Sequence, residues 1–242
     1  MTPTKTSSRS TFNEALAALR SHTNNDKAKV LQRFFKTGPG EYGFGDQFLG
    51  VTVPQIRCVA KEFQNLSLSN IKELLHSKVH EERLLALIIL VKKFQNADSN
   101  RGTFYNFYMH NLKQVNNWDL VDSSAPYIVG AYLESKDRRL LDRLAKSKRL
   151  WDRRVAILST LHFIRKGEFT DTLRLAKNLF HDPEDLMHKA VGWMLREVGK
   201  RNVQLLEDFL RQNHRTMPRT MLRYAIERLP EQRRKAYLKG LS

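Results

Sequence analysis

What most constrains the fold of this chain is a recurrence of apolar helical stretches that superpose on a small residue, taken as Ala86, Ala125, Ala156, Gly192 and Ala225. They follow one another at intervals of about 31 to 39 residues, which is the period of a helical solenoid. Each unit of such an array is a helix pair that cannot bury its apolar face alone and must stack on its neighbours. A small residue at each crossing lets the helix axes approach closely. Strand signals are nearly absent. The expected fold is therefore all-α: a right-handed α-solenoid of helix pairs, curved, with a basic concave face.

Local signals fill in this frame. Thr11 with Glu14 reads as a capping box before LAALR, and Pro54 and Pro183 fit the first turns of later helices. The polar stretch MTPTKTSSRS is expected to be a disordered tail over residues 1–10, and no linker divides residues 11–242, which read as one domain. The glycine-rich segment TGPGEYGFGDQFLG, Thr37 to Gly50, lacks the Gly-Lys-Ser/Thr ending of a P-loop and follows no strand. It reads as a long connection forming an ordered surface loop, with a binding edge as the alternative.

The repeat register gathers the unusual residues. Trp118 and Asp122 lie seven and three residues before their small residue, Arg154 two before, and Trp193 and Arg196 one and four after. At about 100° per residue, four of these fall within about 80° of one another and Arg154 lies about 60° further round. One side of the solenoid would then carry a carboxylate, two indoles and two guanidiniums. Asp122 is the best-placed acid of the chain.

Charge indicates what that side would meet. The chain has 242 residues, with 42 Lys plus Arg against 25 Asp plus Glu and a formal charge of +17, yet 41% of it is hydrophobic. It can bury an ordinary core, so the excess charge belongs to a folded surface. Polyanions are the expected partners, above all nucleic acid bound with steep salt dependence. Residues 136–154 alone hold nine basic and three acidic residues. No basic amphipathic helix or lipidation signal favours a membrane surface. The apolar run from Leu84 to Val91 is far below the roughly 20 residues that span a bilayer and reads as a core helix. Without the apolar stretch of a secretory signal, and with Cys58 as the single cysteine, the chain fits a reducing cytoplasm. In QIRCVAKEF that cysteine is expected to pack in the core. His76 and His80 straddle a helix boundary and read as exposed helix-end residues, so no metal and no cofactor is expected.

The segments NNWDLVDSSAPYIVG, LWDRRVAIL and HKAVGWMLREVGK resemble the signature helices of the AlkD-type DNA alkylation-repair glycosylases, which are built from HEAT-like repeats. The likeness runs from about Thr11 to Leu238. In that family a tryptophan, an aspartate four residues later, an arginine on the next repeat and a tryptophan on the following one form the active-site cleft. They match Trp118, Asp122, Arg154 and Trp193. The resemblance implies a monofunctional glycosylase without cofactor or lysine Schiff base, monomeric, acting on double-stranded DNA that contains alkylated bases, cytoplasmic and nucleoid-associated when bound. Further candidates for DNA contact are Arg153, Arg196 and Lys189 on the matched segments, and Phe34, which falls near the place of a family tyrosine. The family also includes paralogues that bind DNA without excising bases, so a non-catalytic solenoid reading DNA structures, or a protein scaffold, is the alternative. Asn117 stands where some relatives carry a second tryptophan, and Phe34 lacks a hydroxyl.

The implied chemistry needs little machinery. Alkylation at N3 of adenine or N7 of guanine makes the base cationic, so it departs neutral without a general acid. A carboxylate beside the deoxyribose stabilises the oxocarbenium character as it develops, or orients the attacking water; Asp122 is the candidate for either role. Trp118 and Trp193 would grip the lesion-bearing nucleotide, with indole faces attracting a cation by about 0.5 to 2 kcal/mol. Arg154 would hold a phosphate. Each residue also has a structural reading. The tryptophans could be repeat packing, Asp122 or Asp119 a helix cap, and Arg153, Arg154 and Arg196 solvated or paired with Asp152 and Glu197. Trp151 is read as structural.

Overall fold

The computed structural model describes residues 5–240, in two compact units that divide between Ser124 and Ala125. The first unit runs α1 Lys5–Arg20, α2 Asn25–Phe34, α3 Val53–Glu62, α4 Leu68–Leu75, α5 His80–Gln95, α6 Arg101–His110 and α7 Trp118–Asp122. The second holds α8 Arg139–Ala145, α9 Leu150–Arg165, α10 Thr170–Asn178, α11 Asp185–Gly199, α12 Val203–Asn213, α13 Arg219–Ala225 and α14 Glu231–Lys239. Among the described residues the only β feature is an isolated parallel bridge, Gln47 to Val79. The all-helical architecture is that of an α-solenoid.

Each unit is built around a helix with almost no polar face. In the first, α5 packs on α3, α4, α6 and α7 and buries Leu84 to Leu87 and Ile89 to Val91, as a core helix should. In the second, α9 packs on α8, α10 and α11 and is buried along most of its length. The small residues sit where expected: Ala86, Ala125, Ala156 and Ala225 are all but inaccessible. Gly192 shows what smallness permits. A Cβ there would lie 2.5 Å from the Met221 carbonyl oxygen and 2.5 Å from Tyr224 Cβ, so α11 and α13 cross in backbone contact.

The starts of α5 and α9 are held by one and the same device. Ser77 Oγ donates to Glu82 at 2.6 Å and accepts the Val79 N–H at 3.0 Å; Ser147 Oγ donates to Asp152 at 2.8 Å and accepts the Arg149 N–H at 3.2 Å. Arg83 then donates to the Ser77 carbonyl at 3.0 Å, and Arg153 to the Ser147 carbonyl at 3.1 Å. Orphan groups at two buried helix ends are satisfied in the same way.

Several expectations change. Helix α1 begins at Lys5, so residues 5–10 of the expected tail are helical, and residues 1–4 lie outside the described residues. Thr11 therefore sits within a helix rather than capping it, because no glycine or proline between Lys5 and Thr11 stops the helix from running on. Cys58 is exposed. Helix α3 buries Ile56, Val59 and Ala60, and a residue two positions after Ile56 points away from that face. Helix α3 is started by the pair Thr52 and Gln55, with Pro54 in its first turn. The segment NNWDLVDSSAPYIVG is not one regular helix. Pro126 has no N–H to offer the Asp122 carbonyl, and α7 ends in a turn followed by a π-helical turn, Pro126–Gly130.

The glycine-rich segment is ordered and tied to α5. Glu81 accepts the backbone N–H groups of Leu49 at 3.0 Å, Gly50 at 2.8 Å and Val51 at 3.3 Å. Gly50 has φ +79°, and a Cβ there would fall 2.1 Å from the Asn24 carbonyl oxygen, so no other residue fits.

Candidate active site

Helix α7 is a single short helix of five residues, WDLVD, started by Asn117, whose side chain accepts the Trp118 N–H at 2.8 Å. Trp118 and Asp122 are one turn apart on it and share a face, and both are partly exposed. The Trp118 indole stacks on Phe35, with centroids 5.2 Å apart and planes 9° apart, and meets the edge of Phe34 at 6.0 Å. Phe34 is itself 61% exposed. The structure thus brings together Trp118, Asp122 and Phe34 in the first unit, and adds Phe35, which no motif or spacing singles out.

Beneath this group lies a cluster of charge that the sequence reading missed. His80 is not an exposed helix-end residue: it is 2% exposed, with Nδ1 3.1 Å from Asp46 and Nε2 2.7 Å from Asp119. Arg83 lies 2.6 Å from the same Asp46 oxygen. Burial opposes a charge on His80, but the hydrogen bonds to Asp119 and Asp46 outweigh it and raise the pKa. Burial likewise works against ionised Asp46, and hydrogen bonding and charge from His80 and Arg83 hold its carboxyl below the usual range. The two carboxylates sit on opposite ring nitrogens, so their oxygens do not converge on a common point as metal ligands would. His76 is exposed and pairs with Asn111 at 3.1 Å. One signal could have revealed the cluster: His80 and Asp119 each lie six residues before their small residue, the same place in successive repeats.

The remaining candidates lie in the second unit, in their own surroundings. Arg153 is 9% exposed, and its guanidinium is committed to Asp182 at 2.6 and 3.0 Å and to the carbonyls of Ser147 and Lys148 at 3.1 Å. With those donors engaged inside the protein, it is a structural residue and not a DNA contact. Arg154 is also buried, and its Nη1 donates to the Leu186 carbonyl at 2.7 Å, fastening α9 to the first turn of α11. On α11, Lys189, Trp193 and Arg196 follow one another at helical spacing as a partly exposed stripe, which the exposed Lys200 continues just past the helix end. Lys189 pairs with Asp185 at 2.8 Å, Arg196 with Glu227, and Trp193 Nε1 donates to Glu197 at 3.2 Å. Burial opposes the charge on Glu197, but Lys200, at 2.6 Å, together with Trp193 and Arg201 holds its carboxyl lower than usual. Trp151 is buried at 9% exposure, as a packing residue should be.

The described residues thus form an all-helical solenoid with a tryptophan and a carboxylate on one helical turn of the first unit, and a second tryptophan among cations in the second. Residues 15–229 match the sequence profile described as DNA alkylation repair enzyme. The chain belongs to the DNA alkylation repair enzyme family, and its role is in DNA repair. A comparison with curated proteins gives no match. Among solved structures it is similar to an Enterococcus faecalis protein described as a predicted DNA alkylation repair enzyme, with a TM-score of 0.67 at 17% identity, over 87% of this chain and 98% of that one. At that identity the likeness speaks for the fold. Among the described residues no helix is long and apolar enough to cross a membrane.

Proposed function

We propose that the chain is a DNA glycosylase that hydrolyses the N-glycosidic bond of positively charged N3- or N7-alkylated purines in duplex DNA. The observation that carries the reading is the pairing of Trp118 and Asp122 on one face of α7, partly exposed, with the indole seated on Phe35. The bond between the purine nitrogen and C1′ breaks with both electrons going to the cationic base, which leaves neutral. Asp122 stabilises the positive charge left on the sugar, or orients the water that then adds to C1′ and releases a proton. Trp118 and Trp193 offer electron-rich faces to cationic groups. The DNA contacts rest on Lys189, Arg196 and Phe34; Arg153 and Arg154 both drop out, being buried with guanidinium donors engaged inside the protein.

Release of N7-methylguanine from alkylated duplex DNA tests this reading. The wild type is expected to release the base, and Asp122→Asn to lose roughly 10²- to 10³-fold in rate, as when a preorganised electrostatic group is removed. Full activity in Asp122→Asn removes the role given to that residue. No release by the wild type from N3- or N7-alkylpurines leaves a non-catalytic DNA-binding solenoid or a scaffold.

A further inference from the structure

The charged cluster beside α7 takes no part in the reaction as proposed, yet it is elaborately built. Asp46, His80 and Arg83 are buried, and Asp119 is nearly so. Both ring nitrogens of His80 face carboxylate oxygens, at 3.1 and 2.7 Å. An ionised carboxylate only accepts hydrogen bonds, so with both carboxylates ionised each ring nitrogen donates, which is the arrangement an imidazolium makes. With Arg83, the cluster holds two positive and two negative charges, the balance that buried ions require.

What this cluster grips is residues 117 to 119. Asn117 is fully buried, and its Nδ2 donates to Asp46 at 3.3 Å while its Oδ1 takes the Trp118 N–H. Asp119 takes the His80 Nε2 hydrogen with one oxygen and the Leu120 N–H, at 2.8 Å, with the other. Between them, the Trp118 ring lies on Phe35, and Phe35 lies 4.8 Å from the His80 ring. The residue before the tryptophan, the residue after it and the indole itself are therefore all referred to one imidazolium. Helix α7 cannot supply this order. Five residues are too few to hold a helix on their own, and Pro126 denies the last of them its following hydrogen bond.

We infer that His80 is a positioning residue: through the Asp46–His80–Asp119 bridge it fixes the pose of Trp118 and, one turn on, of Asp122 for reaction at the deoxyribose. This rests on the glycosylase reading. The competing view makes the cluster a mere anchor for the start of α5. The groups that face His80 are Asp46 from the glycine-rich segment, Asp119 from α7 and Arg83 from its own helix; Glu81 is occupied by the N–H groups of residues 49–51.

Two measurements decide. Nitrogen NMR on the unaltered protein reads the ring directly: both His80 nitrogens are expected to carry protons at a pH one unit above the ordinary histidine value of about 6.5. A neutral single tautomer there overturns the bridge, whatever the activity. Single-turnover excision of N7-methylguanine by His80→Gln is expected to slow about 10- to 100-fold, the scale of a misplaced reacting group. Affinity for unmodified duplex should change by less than about twofold, because the loss is confined to the transition state. Should His80→Gln not fold, Asp119→Asn carries the same test, since it leaves His80, Asp46 and Arg83 paired. Excision unchanged within twofold in a folded variant, or rate and affinity falling together, overturns the positioning role. If the wild type releases no base, the positioning role falls with the glycosylase reading, while the NMR result still decides the bridge.

Discussion

At the start of α5, Ser77, Glu82 and Arg83 are linked as Ser147, Asp152 and Arg153 are at the start of α9, and beyond that shared device the two helices diverge. In α9, Arg153 meets Asp182 through two guanidinium nitrogens, and the next residue, Arg154, reaches the first turn of α11. In α5, Arg83 meets an aspartate shared with His80 and Asn117, and the residue after it is the core residue Leu84. The two adjacent arginines of α9 thus correspond to an arginine and a leucine in α5. One belongs to a device that the fold repeats, the other to what a particular unit adds. Being basic and near the matched motif does not distinguish them; the partner across the turn does.

The largest effect is expected where the pair has no substitute. Arg153→Met leaves Asp182 charged, 2% exposed and without its cation, which should cost about 3 to 5 kcal/mol in urea unfolding. Arg83→Met should cost less, because Asp46 keeps His80 and Asn117. Equal losses would mean that the shared network gives Asp46 no protection and would break the contrast. Next comes Gly192→Ala, at about 1 to 3 kcal/mol, since the added Cβ meets a carbonyl oxygen and a Cβ rather than a yielding side-chain tip. A negligible loss at Gly192 would show that α11 and α13 can move apart there without cost.

The two devices should also differ in their response to pH. His80 has a raised pKa in the folded protein, so its contribution is complete below about pH 6.5 and is lost as pH rises through the folded value. Asp46 has a lowered one, so its contribution is present above the usual carboxylate value and is lost as pH falls through the folded value. The Arg153–Asp182 pair contains no histidine. Unfolding of wild type and His80→Gln, compared from pH 6 upwards, should converge, with a relative slope of at most about 1.4 kcal/mol per pH unit. Parallel curves would mean that His80 is neutral in the folded chain.

The helical class, the buried small residues and the core character of α5 and Trp151 were legible because periodicity reports burial directly. Trp118 and Asp122 were legible as a pair one turn apart. The cluster below them was not, since Asp46 is contributed by a glycine-rich segment and Asp119 by the next repeat, and no short motif joins them to His80. Arg153 was misread for the same reason: its partner Asp182 lies beyond α10. Cys58 failed on register, where an error of one or two residues turns a side chain from core to solvent, and Thr11 failed because the helix starts six residues before it, at Lys5.

The smallest effect concerns the stripe on α11. Lys189 is partly exposed and pairs with Asp185 across one turn, at 2.8 Å. Such a surface pair contributes no more than a few tenths of a kcal/mol to a helix, so Lys189→Ala should leave the unfolding midpoint almost unmoved. If Lys189 meets a phosphate, removing it releases one counterion fewer on binding, and the slope of log K against log salt should flatten by about 0.9. Arg153→Met, assayed at a temperature where it remains folded, should leave that slope unchanged, because its guanidinium is turned to Asp182. A flattened slope in Arg153→Met with none in Lys189→Ala would reverse the assignment and make the repeated device, rather than the added stripe, the surface that meets DNA.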